Sequence, residues 1–158
     1  MSEVNANSRS KLAPQLVIQA FDLVINGLHR HLVAAGYDDL RPTHVLNVFR
    51  FMDCDGTRPT VLARRAGMTP QAMSELVGHL EQRGYVRRIP DPDDRRGRVV
   101  VYAERGARAA EVGEAFFADL ETHWGALVGP DSVQSIATAL AEIVDADADR
   151  SSQRGPAR

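Results

Sequence analysis

A chain of 158 residues with 44% apolar and 25% charged residues can bury a hydrophobic core and has the composition of an ordinary globular protein. No apolar run approaches the roughly 20 residues of a membrane helix, the N-terminus lacks the apolar segment of a secretory signal, and a single cysteine excludes an intrachain disulfide framework. A formal net charge of −2 argues against a general polyanion binder. We therefore expect a cytoplasmic protein with no membrane partner.

The first predicted helix follows a polar segment, residues 1–10, which we expect to be a disordered tail. From Pro14 to Gly36 an apolar residue recurs every three or four positions, which is the period of one helix face. That face contains Val17, Phe21, Val24, Leu28 and Leu32.

A second helix is predicted to open at Thr43, whose hydroxyl can cap it just after Pro42, and to end near Asp55 and Gly56. The apolar side chains that we expect this helix to bury are Val45, Leu46, Phe49 and Met52.

Two short helical segments come next, joined at a glycine. Residues 60–66 (TVLARRA) form the first, and Gly67 can adopt the unusual backbone angle that the turn requires. Thr69 is predicted to cap the second segment, with Pro70 in its first turn, where a missing N–H costs nothing. Gly84 is predicted to end it.

A hairpin with a long tip follows. Residues 85–89 and 98–102 are rich in β-branched and aromatic side chains, whereas residues 90–97 (PDPDDRRG) are charged and turn-forming. Two short helices followed by a hairpin are the order of a winged helix-turn-helix, so we predict a mainly α fold with a small β-hairpin wing.

Two more helices are predicted at the C-terminal end. A long helix begins near Glu104 and is broken by Gly129 and Pro130, and the last one begins at Asp131 or Ser132. Residues 149–158 are expected to be a disordered tail. The apolar positions of the two helices include Val112, Phe116, Leu120, Trp124, Leu127, Val133, Ile136, Leu140 and Ile143.

The charge of the middle of the chain favours DNA as a partner. Residues 58–98 contain nine arginines and five acidic residues, a net charge of +4 within a chain of net charge −2. A solvated charged face is the alternative explanation. In a winged helix-turn-helix the second short helix enters the major groove, and the wing reaches phosphates or the minor groove. The residues predicted to contact DNA are Thr69, Pro70, Gln71, Ser74, Glu75, His79, Arg95, Arg96 and Arg98, with Asp94 orienting an arginine.

Three motifs in this order resemble the DNA-binding core of the multiple antibiotic resistance regulator (MarR) family: LARRAG (62–67), LVGHLEQRGYV (76–86) and DPDDRRGRVV (91–100). The resemblance implies a homodimer whose two lobes bind an inverted-repeat operator in double-stranded DNA. It also implies that Arg96 enters the minor groove while Asp94 holds it, and that the protein is a regulator, most often a repressor in this family.

The resemblance further implies a division of the chain into functional regions. Residues 11–40 would form an N-terminal dimerisation helix, residues 41–103 the winged helix-turn-helix lobe, and residues 104–148 the C-terminal dimerisation helices. Family members often bind small aromatic effectors between the dimerisation helices and the lobe. His29, Tyr37 and His44 are the candidates to line such a pocket here, and ordinary packing or surface positions are the alternative for each.

Two positions merit separate comment. Glu75 stands where the family often has a basic residue, and an acid there would accept a hydrogen bond from a cytosine amino group but repel phosphate. Cys54 lies outside the first helix, where cysteine-based sensors of the family carry their reactive residue, and we expect it to have no redox role.

Other classes of function find little support. The histidines form no recognisable metal pattern, and the chain has no nucleophile elbow, phosphate loop or dinucleotide fingerprint. We therefore expect no metal, no cofactor and no enzymatic activity. Two alternatives remain open: a constitutive or architectural DNA-binding protein without an effector, and a winged-helix module that binds proteins.

Overall fold

The computed structural model describes residues 11–94 and 96–153, with side chains as far as residue 147. The described residues divide into two compact units, with the boundary between Glu114 and Ala115. The elements in order are α1 (Ala13–Ala34), α2 (Pro42–Asn47), a 3₁₀ turn (Phe49–Phe51), α3 (Pro59–Arg65), α4 (Pro70–Gln82), β1 (Val86–Pro90), β2 (Arg98–Tyr102), α5 (Glu104–Val128) and α6 (Pro130–Gln153). The predicted fold class, mainly α with a hairpin wing, is confirmed.

The first helix begins one residue before the predicted Pro14 and is followed by Gly36 at a positive φ of 90°. Its buried side chains, Leu28 and Leu32, lie in its C-terminal half. Val17 and Phe21 belong to the same predicted face but are 46% and 45% exposed. The periodicity therefore predicted the helix correctly, while half of its apolar face is not covered by the described part of this chain.

The prediction for the second helix was wrong in its start and its length. The helix opens at Pro42, because the residue before a proline is held in an extended conformation, and it ends at Asn47. Val48, at φ −120° and ψ −67°, separates it from the 3₁₀ turn. The break changes which side chains face inward: His44 and Val48 are buried, whereas the four predicted side chains, Val45, Leu46, Phe49 and Met52, are only half-buried.

The turn between α3 and α4 forms as the sequence predicts. Gly67 has a φ of 63°, in the left-handed region, and the hydroxyl of Thr69 accepts the N–H of Ala72 at 3.2 Å. Pro70 is the first residue of α4, and Gly84, with a φ of 73°, follows its end. The inward face of α4 is fully buried and consists of Met73, Val77 and Leu80.

The two strands of the hairpin are antiparallel, with a register from Val86 opposite Tyr102 to Pro90 opposite Arg98. Thr57 forms a backbone bridge with Val100 of β2, through N–H···O distances of 3.0 and 2.9 Å. The segment that leads into α3 is therefore fastened directly to the wing.

A cluster centred on Asp39 joins three parts of the first unit. Its carboxylate accepts the hydroxyl of Tyr85 and the guanidinium of Arg105, the latter at 2.9 and 3.0 Å, and Arg105 also lies over the Tyr85 ring at 4.4 Å. Partial burial acts to raise the pKa of Asp39, but the hydrogen bonds from Tyr85 and Arg105 hold it below its ordinary value. The sequence analysis did not identify this cluster.

The last two helices are separated at Gly129, as predicted. Helix α6 continues to Gln153, so residues 149–153, which were predicted to be disordered, are helical. Once a helix is formed, each added residue gains a backbone hydrogen bond, and arginine and glutamine are good helix formers. Residues 1–10 and 154–158 lie outside the described residues. None of the helices in residues 11–94 and 96–153 is long and apolar enough to cross a membrane.

Candidate nucleic-acid interface

The first two turns of α4 carry polar side chains on their outer side. The residues predicted to contact DNA there are all exposed: Thr69, Pro70, Gln71, Ser74 and Glu75. Because Gln71, Ser74 and Glu75 are three and four positions apart, they share one face of the helix. Nε2 of Gln71 donates a hydrogen bond to Oε1 of Glu75 at 3.2 Å. This face offers hydrogen-bond donors and acceptors without bulky apolar groups.

His79, the last predicted contact on α4, is exposed, and its ring lies 5.9 Å from the ring of His44. His44 is only 5% exposed, and its Nδ1 accepts the backbone N–H of Arg41 at 3.1 Å. Burial, together with His79, Arg83 and Arg41 nearby, lowers the pKa of His44. A buried histidine on α2, whose environment favours the neutral form, therefore lies beside His79 of α4.

The loop between β1 and β2 is folded around two carboxylates. Oδ1 of Asp91 accepts the N–H of Asp93 at 2.9 Å, and Oδ1 of Asp94 accepts the N–H of Arg96 at 3.0 Å. The N–H of Gly97 donates to the carbonyl of Asp94 at 2.8 Å, and the N–H of Asp91 donates to the carbonyl of Gly97 at 3.1 Å. The side chain of Arg96, which lies in this loop, is exposed.

Asp94, which was predicted to orient an arginine, contacts two arginines. Asp94 binds the backbone of Arg96, and its Oδ2 lies 3.7 Å from Nη2 of Arg58. Arg98 is exposed at the first position of β2, and Arg95 lies outside the described residues.

An ion pair between Arg58 and Asp91 was missed by sequence reasoning. Nε of Arg58 donates to Oδ2 of Asp91 at 2.5 Å, and Asp91 is 5% exposed. The N–H of Asp93 and the guanidinium of Arg58 lower the pKa of this carboxyl. The two residues are 33 positions apart, so no local pattern joins them. The available signal was an arginine at the N-cap of a helix, where short polar residues are preferred.

Several arginines of this segment are bound to acids of the same unit. These ion pairs are Arg58–Asp91, Arg65–Asp53, Arg83–Asp39 and Arg88–Glu81. Arg64, Arg87, Arg96 and Arg98 are exposed and form no ion pair within the described residues. Fewer arginines are therefore available to a polyanion than the nine that the sequence contains in residues 58–98. Within the described residues of this segment, the available positive charge lies on these four side chains.

The three residues proposed for an effector pocket lie in different surroundings. His29 lines a narrow crevice between α1 and α2 that has no room for a water molecule, together with Ile25, Leu28, Leu32, Leu40, Pro42 and Val45. Its Nδ1 is buried and has no hydrogen-bond partner within the described residues. Tyr37 lines a separate cavity with Glu104, Arg105 and Arg108, and His44 lines neither of the two.

The remaining candidates are the single cysteine and any group of metal ligands. Cys54 is exposed and unpaired with another cysteine. In the ranges that the structure describes, no three His, Cys, Asp or Glu side chains are grouped so as to hold a metal ion.

Comparison with known proteins finds similarity to one family. Residues 44–97 match the model of the MarR family. Among curated proteins, no sequence matches the chain significantly. Among solved structures, CouR from Rhodococcus jostii RHA1 bound to p-coumaroyl-CoA is 25% identical, with a TM-score of 0.61 over 81% of this chain and 88% of its own.

Two similar structures contain DNA. FabT from Streptococcus pneumoniae in complex with DNA is 13% identical, with a TM-score of 0.72 over 86% of this chain and 95% of its own. The transcriptional repressor CouR bound to a 23-mer DNA duplex is 21% identical, with a TM-score of 0.66 over 90% of this chain and 99% of its own. At these identities the two matches support the winged helix-turn-helix fold.

Proposed function

We propose that the chain is a transcriptional regulator of the MarR family, which represses transcription by binding an inverted-repeat operator as a homodimer. The observation that carries this proposal is the exposed polar face of α4, followed along the chain by exposed wing arginines. The matches to FabT and to the repressor CouR, both in complex with DNA, support it. A cytoplasmic location, as expected from the sequence, would give the protein access to DNA.

Base readout is assigned to α4 in the major groove. Gln71 can bind adenine through its amide group, and Glu75 can accept a hydrogen bond from the amino group of cytosine. The hydrogen bond between the two side chains orders them before DNA arrives. Thr69, Pro70 and Ser74 complete the face that approaches the bases, and His79 approaches a phosphate.

Phosphate and minor-groove contacts are assigned to the wing through Arg95, Arg96 and Arg98. The narrow minor groove concentrates negative potential, which favours an inserted arginine. Asp94, by holding the backbone N–H of Arg96, fixes the point from which that side chain extends.

The homodimer is assigned to α1, α5 and α6. Exposed large apolar side chains within the described residues are confined to residues 12–33 and 117–144. Those of α6 are Ile136, Leu140, Ile143 and Val144, spaced so that they form one stripe. A contiguous apolar stripe in water is the usual mark of a protein interface.

A small aromatic effector is proposed to weaken DNA binding by shifting the population of dimer conformations. The ligand named for CouR, p-coumaroyl-CoA, contains such a group. In this chain the feature that supports an effector is the buried Nδ1 of His29, which has no hydrogen-bond partner within the described residues. Titrating the operator complex with phenolic acids and their thioesters separates this proposal from a constitutive DNA binder, whose affinity would not change.

The experiment that tests DNA binding begins with selection of bound genomic DNA by the purified protein, which should recover an inverted repeat. Replacing Arg96 by alanine should weaken binding to that operator by on the order of tenfold and lower the slope of affinity against salt by about one.

Arg108→Ala serves as a charge-matched control, because Arg108 is exposed and pairs with Glu104 on α5. Its operator affinity should equal that of the wild type. Unchanged affinity of the Arg96 variant would refute the wing assignment, and the absence of any selected motif would favour a protein-binding module.

A further inference from the structure

Arg58 occupies a position where local rules disfavour it. It is the N-cap of α3, and no side chain caps that helix end. A short polar residue is preferred at an N-cap because it can accept a free N–H, and a cation near a helix N-terminus opposes the helix dipole. A residue that breaks two local preferences is expected to act elsewhere in the molecule.

The side chain of Arg58 is directed to the loop of the wing. Its Nε binds the buried carboxylate of Asp91 at 2.5 Å, and its Nη2 lies 3.7 Å from Oδ2 of Asp94. These two carboxylates also hold the backbone N–H groups of Asp93 and Arg96. One guanidinium therefore contacts both groups around which the wing loop is folded.

The residue before Arg58 fastens the other end of the wing. Thr57 exchanges two backbone hydrogen bonds with Val100 in the middle of β2. Residues 57 and 58 thus attach the segment leading into α3 to the wing at two points, one on its strand and one on its loop. Removing the Arg58 contact would leave the strand attached while releasing the loop.

We propose that Arg58 is a positioning residue for DNA binding, which holds the wing loop so that Arg96 faces the minor groove. The inference rests on the proposed function, since it assigns Arg58 a part in the same interface. Arg58 acts through Asp91 and Asp94 and need not touch DNA itself.

A substitution that removes one negative charge distinguishes this proposal from a direct contact between Arg58 and a phosphate. The segment from residue 91 to residue 98, which is the wing loop and the first residue of β2, contains three aspartates and three arginines, so its formal charge is zero. Replacing Asp91 by asparagine removes a negative charge close to a polyanion, which by simple electrostatics should tighten DNA binding. If Arg58 instead positions the loop through Asp91, the same substitution should weaken binding.

The test compares operator affinities of Asp91→Asn, Arg58→Ala and the double variant, with Asp93→Asn as the matched control. Asp93 is exposed, its side chain is not one of the acceptors described above, and its substitution removes the same charge. We expect each single variant and the double variant to bind about tenfold more weakly than the wild type, because all three break one shared ion pair. Asp93→Asn should bind at least as tightly as the wild type.

Hydrogen exchange on the free protein provides a second readout that does not depend on DNA. The amide protons of Asp93 and Gly97 should exchange faster in Arg58→Ala, whereas the amide of Val100 should retain its protection. Thermal unfolding establishes that each variant is folded.

Three results would overturn the proposal: tighter operator binding by Asp91→Asn, additive losses in the double variant, or unchanged exchange of the loop amides. If the wild type selects no operator, the proposed function fails, while the exchange measurement still decides whether Arg58 holds the loop.

Discussion

The winged segment (residues 40–100) and the flanking helices differ in how far their large apolar side chains are exposed. Between residues 40 and 100 the large apolar side chains are covered by the chain itself, and Leu62, Met73, Val77, Leu80 and Val100 are fully buried. In residues 12–33 and 117–144, Leu28, Leu32 and Val133 are buried, but fourteen other large apolar side chains are 38% to 72% exposed. Within the described residues, no exposed large apolar residue lies between the two flanking ranges.

The difference indicates that the two regions are stabilised by different contacts. Burying apolar surface contributes about 25 cal/mol per Å², so the winged segment can be stable through contacts within one chain. The exposed stripes on the flanking helices gain nothing in the monomer and would gain that free energy only against a second surface. The predictions below test each half of this comparison.

The largest expected effect is in the packing between the wing and α5. A Cβ added at Gly106 would lie 1.8 Å from the carbonyl oxygen of Tyr85, which also accepts the N–H of Ala103. Gly106→Ala should therefore lower the free energy of unfolding by about 3 kcal/mol, since backbone must move to admit the methyl group. Chemical denaturation followed by circular dichroism measures the change.

Gly78→Ala in α4 is the matched control. Apart from its chain neighbours and the backbone of its own helix, nothing lies within 4 Å of the corresponding Cβ, and alanine favours a helix over glycine by about 1 kcal/mol. This variant should be as stable as the wild type or more so. Equal effects of the two substitutions would contradict the close contact at Gly106.

The next effect tests the flanking helices. Ile143 is 65% exposed, so Ile143→Glu should leave an isolated chain nearly unchanged. In a homodimer that covers this stripe, the buried charge should raise the dissociation constant on the order of 100-fold. Sedimentation equilibrium over a range of protein concentrations measures the shift.

Gln134→Glu adds the same charge to α6 on the other side of the helix, nine positions away, and should not alter the dimer. A monomeric wild type, or equal dissociation by both variants, would show that the stripe does not form the interface.

The smallest effect concerns the interior of the winged segment. The pKa of His44 is lowered from 6.5 in the fold, so the unfolded chain binds a proton more readily than the native one. Stability should therefore fall as the pH drops below 6.5 and level off once the native histidine is also protonated. The slope cannot exceed about 1.4 kcal/mol per pH unit.

His44→Gln removes the titration and retains an acceptor for the N–H of Arg41, since glutamine commonly fills this helix position. Its unfolding free energy should vary less between pH 7 and pH 5 than that of the wild type. Parallel pH profiles for the two proteins would exclude His44 as the source.

Local signals predicted the elements around the proposed interface well. Gly67, Thr69, Pro70 and Gly84 each act through their own backbone or an immediate neighbour, so the bounds of α4 follow from a few consecutive residues. The second helix was mispredicted because more than one set of its apolar residues has a spacing of three or four positions. The break at Val48 determines which of these sets faces inward.

The sequence by itself determined the order of helices and hairpin, the polar face of α4 and the charged wing tip, because each depends on periodicity or turn chemistry within about ten residues. Only the tertiary structure decided which polar and charged side chains are paired. Arg58 binds Asp91 across 33 positions, and Tyr85 binds Asp39 across 46. Such partners are chosen by the packing of distant segments, which no local pattern encodes.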